Sequence, residues 1–195
     1  MHSDSLPLVD QAFQRLRRDV LTGSFAAGSK LKIEELQGAY GISSSPLREA
    51  LSRLAQEGLV SASERRGFRV APVSAEDLHD ITRMRLLIDV PALQAAIEKG
   101  DEAWEAAIVA AYYRLEKVES RRGDGPVILD DEWSAVHRTF HFALLAACGS
   151  ERQIRWSASL FDQAERYRRL SSRYRNNTRK RGNEHKKLME ATIRR

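Results

Sequence analysis

The stretch GISSSPLREALSRLAQEGLV, Gly41 to Val60, decides how this chain is read. Ahead of it, IEELQGAY (33–40) has the spacing of a short amphipathic helix. Gly41 can adopt the left-handed conformation that ends such a helix. Ile42 then anchors a turn, and Ser43 is a good N-cap for the helix that follows. Pro46 falls in the first turn of that second helix, where a missing N–H breaks no hydrogen bond. Leu47, Leu51 and Leu54 recur at helical spacing and face a core, supported by Ala50 and Leu59. Ser44, Ser45, Arg48 and Ser52 point the other way, near the helix N-terminus. A helix-turn-helix protein presents that end to base edges and phosphates in the major groove. The pattern predicts DNA recognition.

Further along, LVSAS (59–63) and FRVAP (68–72) alternate like two short strands, with Glu64-Arg65-Arg66-Gly67 between them. A hairpin there holds Arg65 and Arg66 at its tip, suited to a phosphate or a narrow minor groove. Upstream, Ser5 and Pro7 start a helix running through VDQAFQRLRRDVLTG. Val9, Ala12, Phe13, Leu16, Val20 and Leu21 give it one apolar face. SFAAGSKL (24–31) reads as the loop leading into the helix-turn-helix.

The chain has 195 residues, enough for two modest domains, and its 42% hydrophobic content can build a core for each. A formal charge of +5 suits a nucleic-acid partner, although net charge speaks to association and not to fold. Cys148 is the only cysteine, so no intramolecular disulfide forms, as suits a reducing cytoplasm. No apolar run approaches the ~20 residues that span a bilayer. MHSDSLPLVD lacks the basic and apolar regions of a signal peptide. A soluble, cytoplasmic protein with no membrane partner is expected.

Behind the wing, Ser74 and Asp77 are placed for a capping box, and no strand signal follows. Residues 75–99 read as a helix with Leu78, Ile81, Met84, Leu87 and Ile88 on one face. Pro91 should kink it or begin a second piece, and Gly100 ends it. Residues 101–121, 130–148 and 151–175 read as three more helices, and a last one runs from Asn183. The run RYRRLSSRYRNNTRKR (166–181) is strongly basic and ends in a loop near 176–182.

The first 75 or so residues resemble the N-terminal winged helix of the GntR family of bacterial transcription regulators. Gly23, the AAGSKL loop, Glu35, Leu36, SSSPLREAL, EGLV and RRGFRV carry the likeness. In that family the start of the recognition helix and the wing tip touch DNA. The resemblance therefore implies DNA contacts at Ser43, Ser44, Ser45, Pro46, Arg48, Arg65, Arg66 and Gly67. Many members have an arginine where this chain has Ser44, so base preference does not carry over. Some also have one near Glu34, and that contact is expected to be missing. The helical remainder is similar to the FadR-like branch, whose C-terminal (FCD-type) domain is an antiparallel helix bundle that binds a ligand. Arg85 with Ile88-Asp89, and HRTFHFALLAACGS (137–150), carry this second likeness. The expected fold is mainly α: a winged helix-turn-helix over residues 1–73, then an all-α bundle for effector binding and dimerisation over 74–195.

His137 and His141 stand at i, i+4, which puts both imidazoles on one face of one helix. A zinc protease of the HExxH type needs glutamate after the first histidine, and Arg138 stands there. Hydrogen-bonded core histidines remain the plain alternative. FadR-like proteins commonly hold a divalent metal with an aspartate, a histidine four residues on, and two more distant histidines. The resemblance assigns His141 and His185 to two of these positions and puts His137 in place of the aspartate. An imidazole there favours zinc or nickel over manganese. The family's fourth ligand would come from a helix beyond Arg195, so the implied set is incomplete here, whether the sequence is a truncated one or the branch's last helix is missing. Arg85, Arg83, Gln163, Arg166 and Tyr167 are candidates to line the same cavity, since an arginine fork pairs with a carboxylate in bidentate fashion.

One recognition helix covers too few base pairs for genomic specificity, whereas two helices ~34 Å apart read a near-palindrome, so a homodimer is expected. The resemblance implies a transcription regulator, a repressor by the family's commoner mode. It is tuned by a small carboxylate held in the helical domain, through a divalent metal. No enzymatic activity is expected. The rival readings are a constitutive DNA-binding protein with a structural helical domain and, further off, a metal-dependent hydrolase.

Overall fold

A computed structural model describes residues 6–63, 67–121, 129–172 and 181–195, with side chains in the last segment from residue 184 onward. The chain divides into two compact units, the first ending at Leu78 and the second beginning at His79.

The first unit contains α1 (Leu8–Thr22), β1 (Lys30–Leu31), α2 (Ile33–Tyr40), α3 (Ser44–Gln56), β2 (Val60–Ser63) and β3 (Gly67–Val70). Gly41 closes α2 in the left-handed region, at φ 66°, as its glycine permits. Ser43 occupies the N-cap position of α3 with extended backbone, but its side chain makes no capping bond. The hydroxyl is left for other partners. Leu16 and Val20 of α1 pack with Leu36 of α2, Leu47, Leu51 and Leu54 of α3, and Leu59, Val60 and Val70 of the sheet. Two ion pairs clamp α1 to α3: Arg53 to Asp10 at 2.8 Å, with its guanidinium 4.2 Å above the Phe13 ring, and Arg17 to Glu57 at 3.3 Å. The sheet order is β1-β3-β2, antiparallel throughout. β1 falls within the segment read as a loop: only two residues long, it exists because the outer edge of β3 offers unpaired backbone groups. Ser5 and the wing-tip residues Glu64, Arg65 and Arg66 lie outside the described residues.

Five helices follow: α4 (Ala75–Lys99), α5 (Glu102–Ser120), α6 (Asp131–Leu145), α7 (Glu151–Ser172) and α8 (Arg181–Arg194). The Ser74 hydroxyl accepts from the Asp77 amide at 3.0 Å, half of the expected capping box. α4 runs unbroken through Pro91. Gly100 is demanded by packing, because a Cβ there would sit 2.0 Å from the Trp104 ring. Asp101 and Asp130 cap α5 and α6, each accepting a backbone N–H three residues on at 2.8 Å. α8 starts at Arg181, two residues ahead of the expected Asn183, and the far end of the 151–175 segment lies outside the described residues. α5 packs on α6 and α8, and α6 on α7. Ala92, Ala96, Trp104, Ile108, Leu115, Trp133, Phe140, Leu144 and Met189 form the core. The Trp104 indole satisfies its N–H on the Ala143 carbonyl at 2.9 Å, as a buried tryptophan must. No helix among the described residues is long and apolar enough to cross a membrane.

Candidate nucleic-acid interface and metal centre

At the start of α3, Ser43, Ser45, Arg48 and Ser52 are exposed, while Ser44 and Pro46 are half-buried. One helix face thus presents hydroxyls and a guanidinium to solvent, and its opposite face is locked in the core by Leu47, Ala50, Leu51 and Leu54. Gly67 opens β3 with φ 71°, the left-handed conformation that lets the hairpin turn back.

In the second unit, α6 and α8 bring His137, His141 and His185 together. One ring nitrogen from each lies within 4.8 Å of the others. The Nε2 atoms of His137 and His141 are 3.1 Å apart. Burial pushes both imidazoles well below the ordinary value, helped for His137 by His141 and Arg168, and for His141 by His185 and Arg168. Neutral rings have lone pairs to give. Trp133 stacks on His137 with centroids 4.2 Å apart. The same indole donates its N–H to Glu119 Oε1 at 3.2 Å, and that oxygen stands 3.3 Å from His185 Nδ1. The other oxygen, Glu119 Oε2, is buried without a partner. Two imidazoles kept neutral by burial, with a third beside them and a carboxylate behind that third ring, fit a divalent metal of the zinc or nickel type. Arg138, which follows His137, is occupied by Asp162 at 3.3 Å and by the Phe142 ring.

Beside the cluster is a cavity of about 150 Å³ bordered by His141, Arg85, Asp89, Ser157, Phe161 and Leu188. The Arg85 guanidinium bonds Asp89 Oδ2 at 3.0 Å and lies 5.2 Å from the Phe161 ring centroid. Asp89 Oδ1 is buried without a partner. Of the expected effector residues, Arg85 borders this cavity, and Gln163, Arg166 and Tyr167 do not. Ser157 and Phe161 share one face of α7, whereas the other three project roughly 140–240° round the helix. Gln163 bonds Ser159 at 3.3 Å, and Arg166 and Tyr167 are buried. Arg83 pairs with Asp80 on the surface. Sequence reasoning missed Glu119, Trp133 and Arg168, the last of which lies over Phe161 and donates to its carbonyl. Only contacts between helices reveal Glu119, whereas Trp133 and Arg168 sit one and two turns along the same helix from His137 and Phe161.

The chain matches the model for bacterial regulatory proteins of the gntR family over residues 8–70 and that for the FCD domain over residues 80–195. It is 39% identical over 186 residues to BphR, an uncharacterized HTH-type transcriptional regulator of Paraburkholderia xenovorans (strain LB400), covering 95% of this chain and 76% of the relative. To the HTH-type transcriptional repressor GlaR of Escherichia coli (strain K12) it is 36% identical over 156 residues, which is 80% of this chain and 70% of that one. The solved structure of E. coli McbR/YncC has the same fold, with a TM-score of 0.76 over 97% of this chain and 87% of that chain, at 21% identity.

Proposed function

This chain belongs to the GntR family of bacterial regulatory proteins, in the branch carrying an FCD domain, and we propose that it is a repressor switched by a small carboxylate. The name of the relative GlaR supports the sign of regulation. The protein acts in the cytoplasm as a homodimer on a near-palindromic operator, since two heads about one helical turn apart read what one cannot. Residues 1–73 read DNA through Ser43, Ser44, Ser45, Pro46 and Arg48 in the major groove and Arg65, Arg66 and Gly67 at the wing. Residues 74–195 bind the effector and pair the protomers.

The observation that carries the effector reading is a cluster of three imidazoles, one of which, His141, borders a cavity together with Arg85. His137, His141 and His185 would hold the metal, which supplies a Lewis-acidic anchor for a carboxylate oxygen. Arg85, whose Nε and Nη2 hold Asp89 Oδ2, supplies a second cationic anchor for the same anion through its remaining donors. Glu119 Oε1 stands 3.3 Å behind His185 Nδ1, placed to orient that ring although no hydrogen bond joins them here, and Trp133 stacks on His137. No bond is made or broken. The effector acts only through its different affinity for the two arrangements of the heads.

Selection of bound sequences from a random duplex pool at roughly 150 mM salt tests this, because non-specific phosphate binding is weak there. A near-palindrome should be enriched, and adding carboxylates with zinc or nickel should release the enriched duplex. Recovery of unrelated sequences would refute the operator reading. An enriched duplex indifferent to every carboxylate would leave a constitutive binder.

A further inference from the structure

The sheet of the DNA-binding head holds two like charges against each other. β1 and β3 are registered so that Lys30 stands opposite Arg69, and β2 sets Ser61 on the other side of Arg69. Side chains alternate across a strand, so these three share the outer face, while Leu31, Phe68 and Val70 turn to the core. All three are exposed. Like charges directly opposite each other destabilise a sheet, so the pair calls for a counter-ion.

Among the described residues the head supplies none. Arg17, Arg18, Lys32 and Arg53 each have a carboxylate partner, and Arg15 is held on the Tyr40 carbonyl. Among the described residues, no carboxylate pairs with Lys30 or Arg69. Arg69 donates one Nη1 hydrogen to the Gly28 carbonyl at 3.1 Å, which fixes its guanidinium and spends a single donor of five. An ammonium, an anchored guanidinium and a hydroxyl in one row are the donor set of a phosphate. Arg69 lies two residues past Gly67, about 7 Å along the strand, from the turn of the wing. A groove edge that meets the wing brings a backbone phosphate to this row.

We propose that Lys30, Arg69 and Ser61 form a phosphate-binding row on the outer face of the sheet, a contact to the DNA backbone beside the wing. It adds affinity without sequence preference, and it rests on the head binding duplex DNA. The full-length chain is titrated with the duplex enriched by selection, across a series of salt concentrations. Lys30→Gln and Arg69→Gln should each flatten the plot of log K against log salt by about 0.9 per head, and weaken matched and mismatched duplexes by one common factor. Arg69→Lys, which keeps the charge, should restore most of the slope. Lys30→Gln should melt no lower than wild type, because it relieves the repulsion. Unchanged slopes in both glutamine variants, with Arg48→Ala still weakening binding, would overturn the row. A wild-type chain with no salt-sensitive binding would instead remove the premise.

Discussion

His137 Nε2 and His141 Nε2 stand 3.1 Å apart, one helical turn along α6. Two nitrogens on a tetrahedral zinc, each about 2.0–2.1 Å from it, are separated by roughly 3.3 Å, so little movement is asked of either ring. His141→Ala removes one of this pair. The variant, dialysed against zinc or nickel, should retain much less metal than wild type by elemental analysis. DNA affinity without effector should stay within about twofold, because the change is far from the head in sequence and unit. Equal metal contents in the two proteins would contradict the site.

Burial holds His137 and His141 well below the ordinary 6.5 in the folded chain, with the neighbouring cationic groups adding to the effect. Below that value the unfolded chain binds more protons than the folded one. Stability is therefore fully present above pH 6.5 and is lost as pH falls through it. The slope should approach about 1.4 kcal/mol per pH unit for each histidine. Denaturant midpoints of chelator-treated protein, taken from about pH 7.5 down to about pH 5.5, should fall accordingly. A flat profile would show that the rings are not buried neutral.

Glu119 reaches from α5 to Trp133 on α6 and His185 on α8 with one oxygen. Outer carboxylates of this kind fix the tautomer of a ligating histidine, and losing one lowers metal affinity by roughly 10–100-fold. Glu119→Gln should do so in chelator competition while leaving the far-UV spectrum of the metal-free protein unchanged. It should also shift the ¹⁵N resonances of His185, which a purely structural glutamate would leave alone. An unchanged affinity would remove Glu119 from the site.

The local features of the chain were legible in its sequence. Gly41, Pro46 and the Leu47–Leu51–Leu54 spacing act within a turn or two of themselves, and the structure puts α2 and α3 where they indicate. Histidines at i, i+4 needed only helical geometry to be paired. β1 was not legible, because Lys30 and Leu31 become a strand only once β3 lies beside them. Nor was Glu119, whose partners lie 14 and more residues away on other helices. Gln163, Arg166 and Tyr167 have suitable chemistry, but the phase of α7 relative to Phe161 carries them away from the cavity, and phase against a neighbour is a tertiary fact.

α4 is apolar on two sides. Ile81, Ala92 and Ala96 are buried, while Leu86 and Leu87 are 61% and 64% exposed with Val90 beside them. A second copy covering this strip would give the symmetric pairing that a near-palindrome requires. Leu86→Glu with Leu87→Glu should convert the dimer to a monomer in sedimentation experiments. Operator affinity should then fall by roughly two orders of magnitude, through lost avidity. A variant that remains dimeric would place the interface on another face.

Arg48 is exposed on α3 between Ser45 and Ser52, and no carboxylate pairs with it among the described residues. A guanidinium in that place can fork onto guanine O6 and N7, a contact that discriminates by about 1–3 kcal/mol, or can sit on a phosphate, which discriminates nothing. Of the exposed side chains at this end of α3, Arg48 has the longest reach and the only fork, so it should read the base. Repeating the selection with Arg48→Ala should leave one position in each half-site degenerate and the others sharp. Arg48→Lys keeps the charge but not the fork, so it should bind unrelated duplexes like wild type and lose the same position. Uniform weakening across all sequences, with a shallower salt slope, would instead assign Arg48 to the backbone and leave base reading to Ser44, Ser45 and the wing.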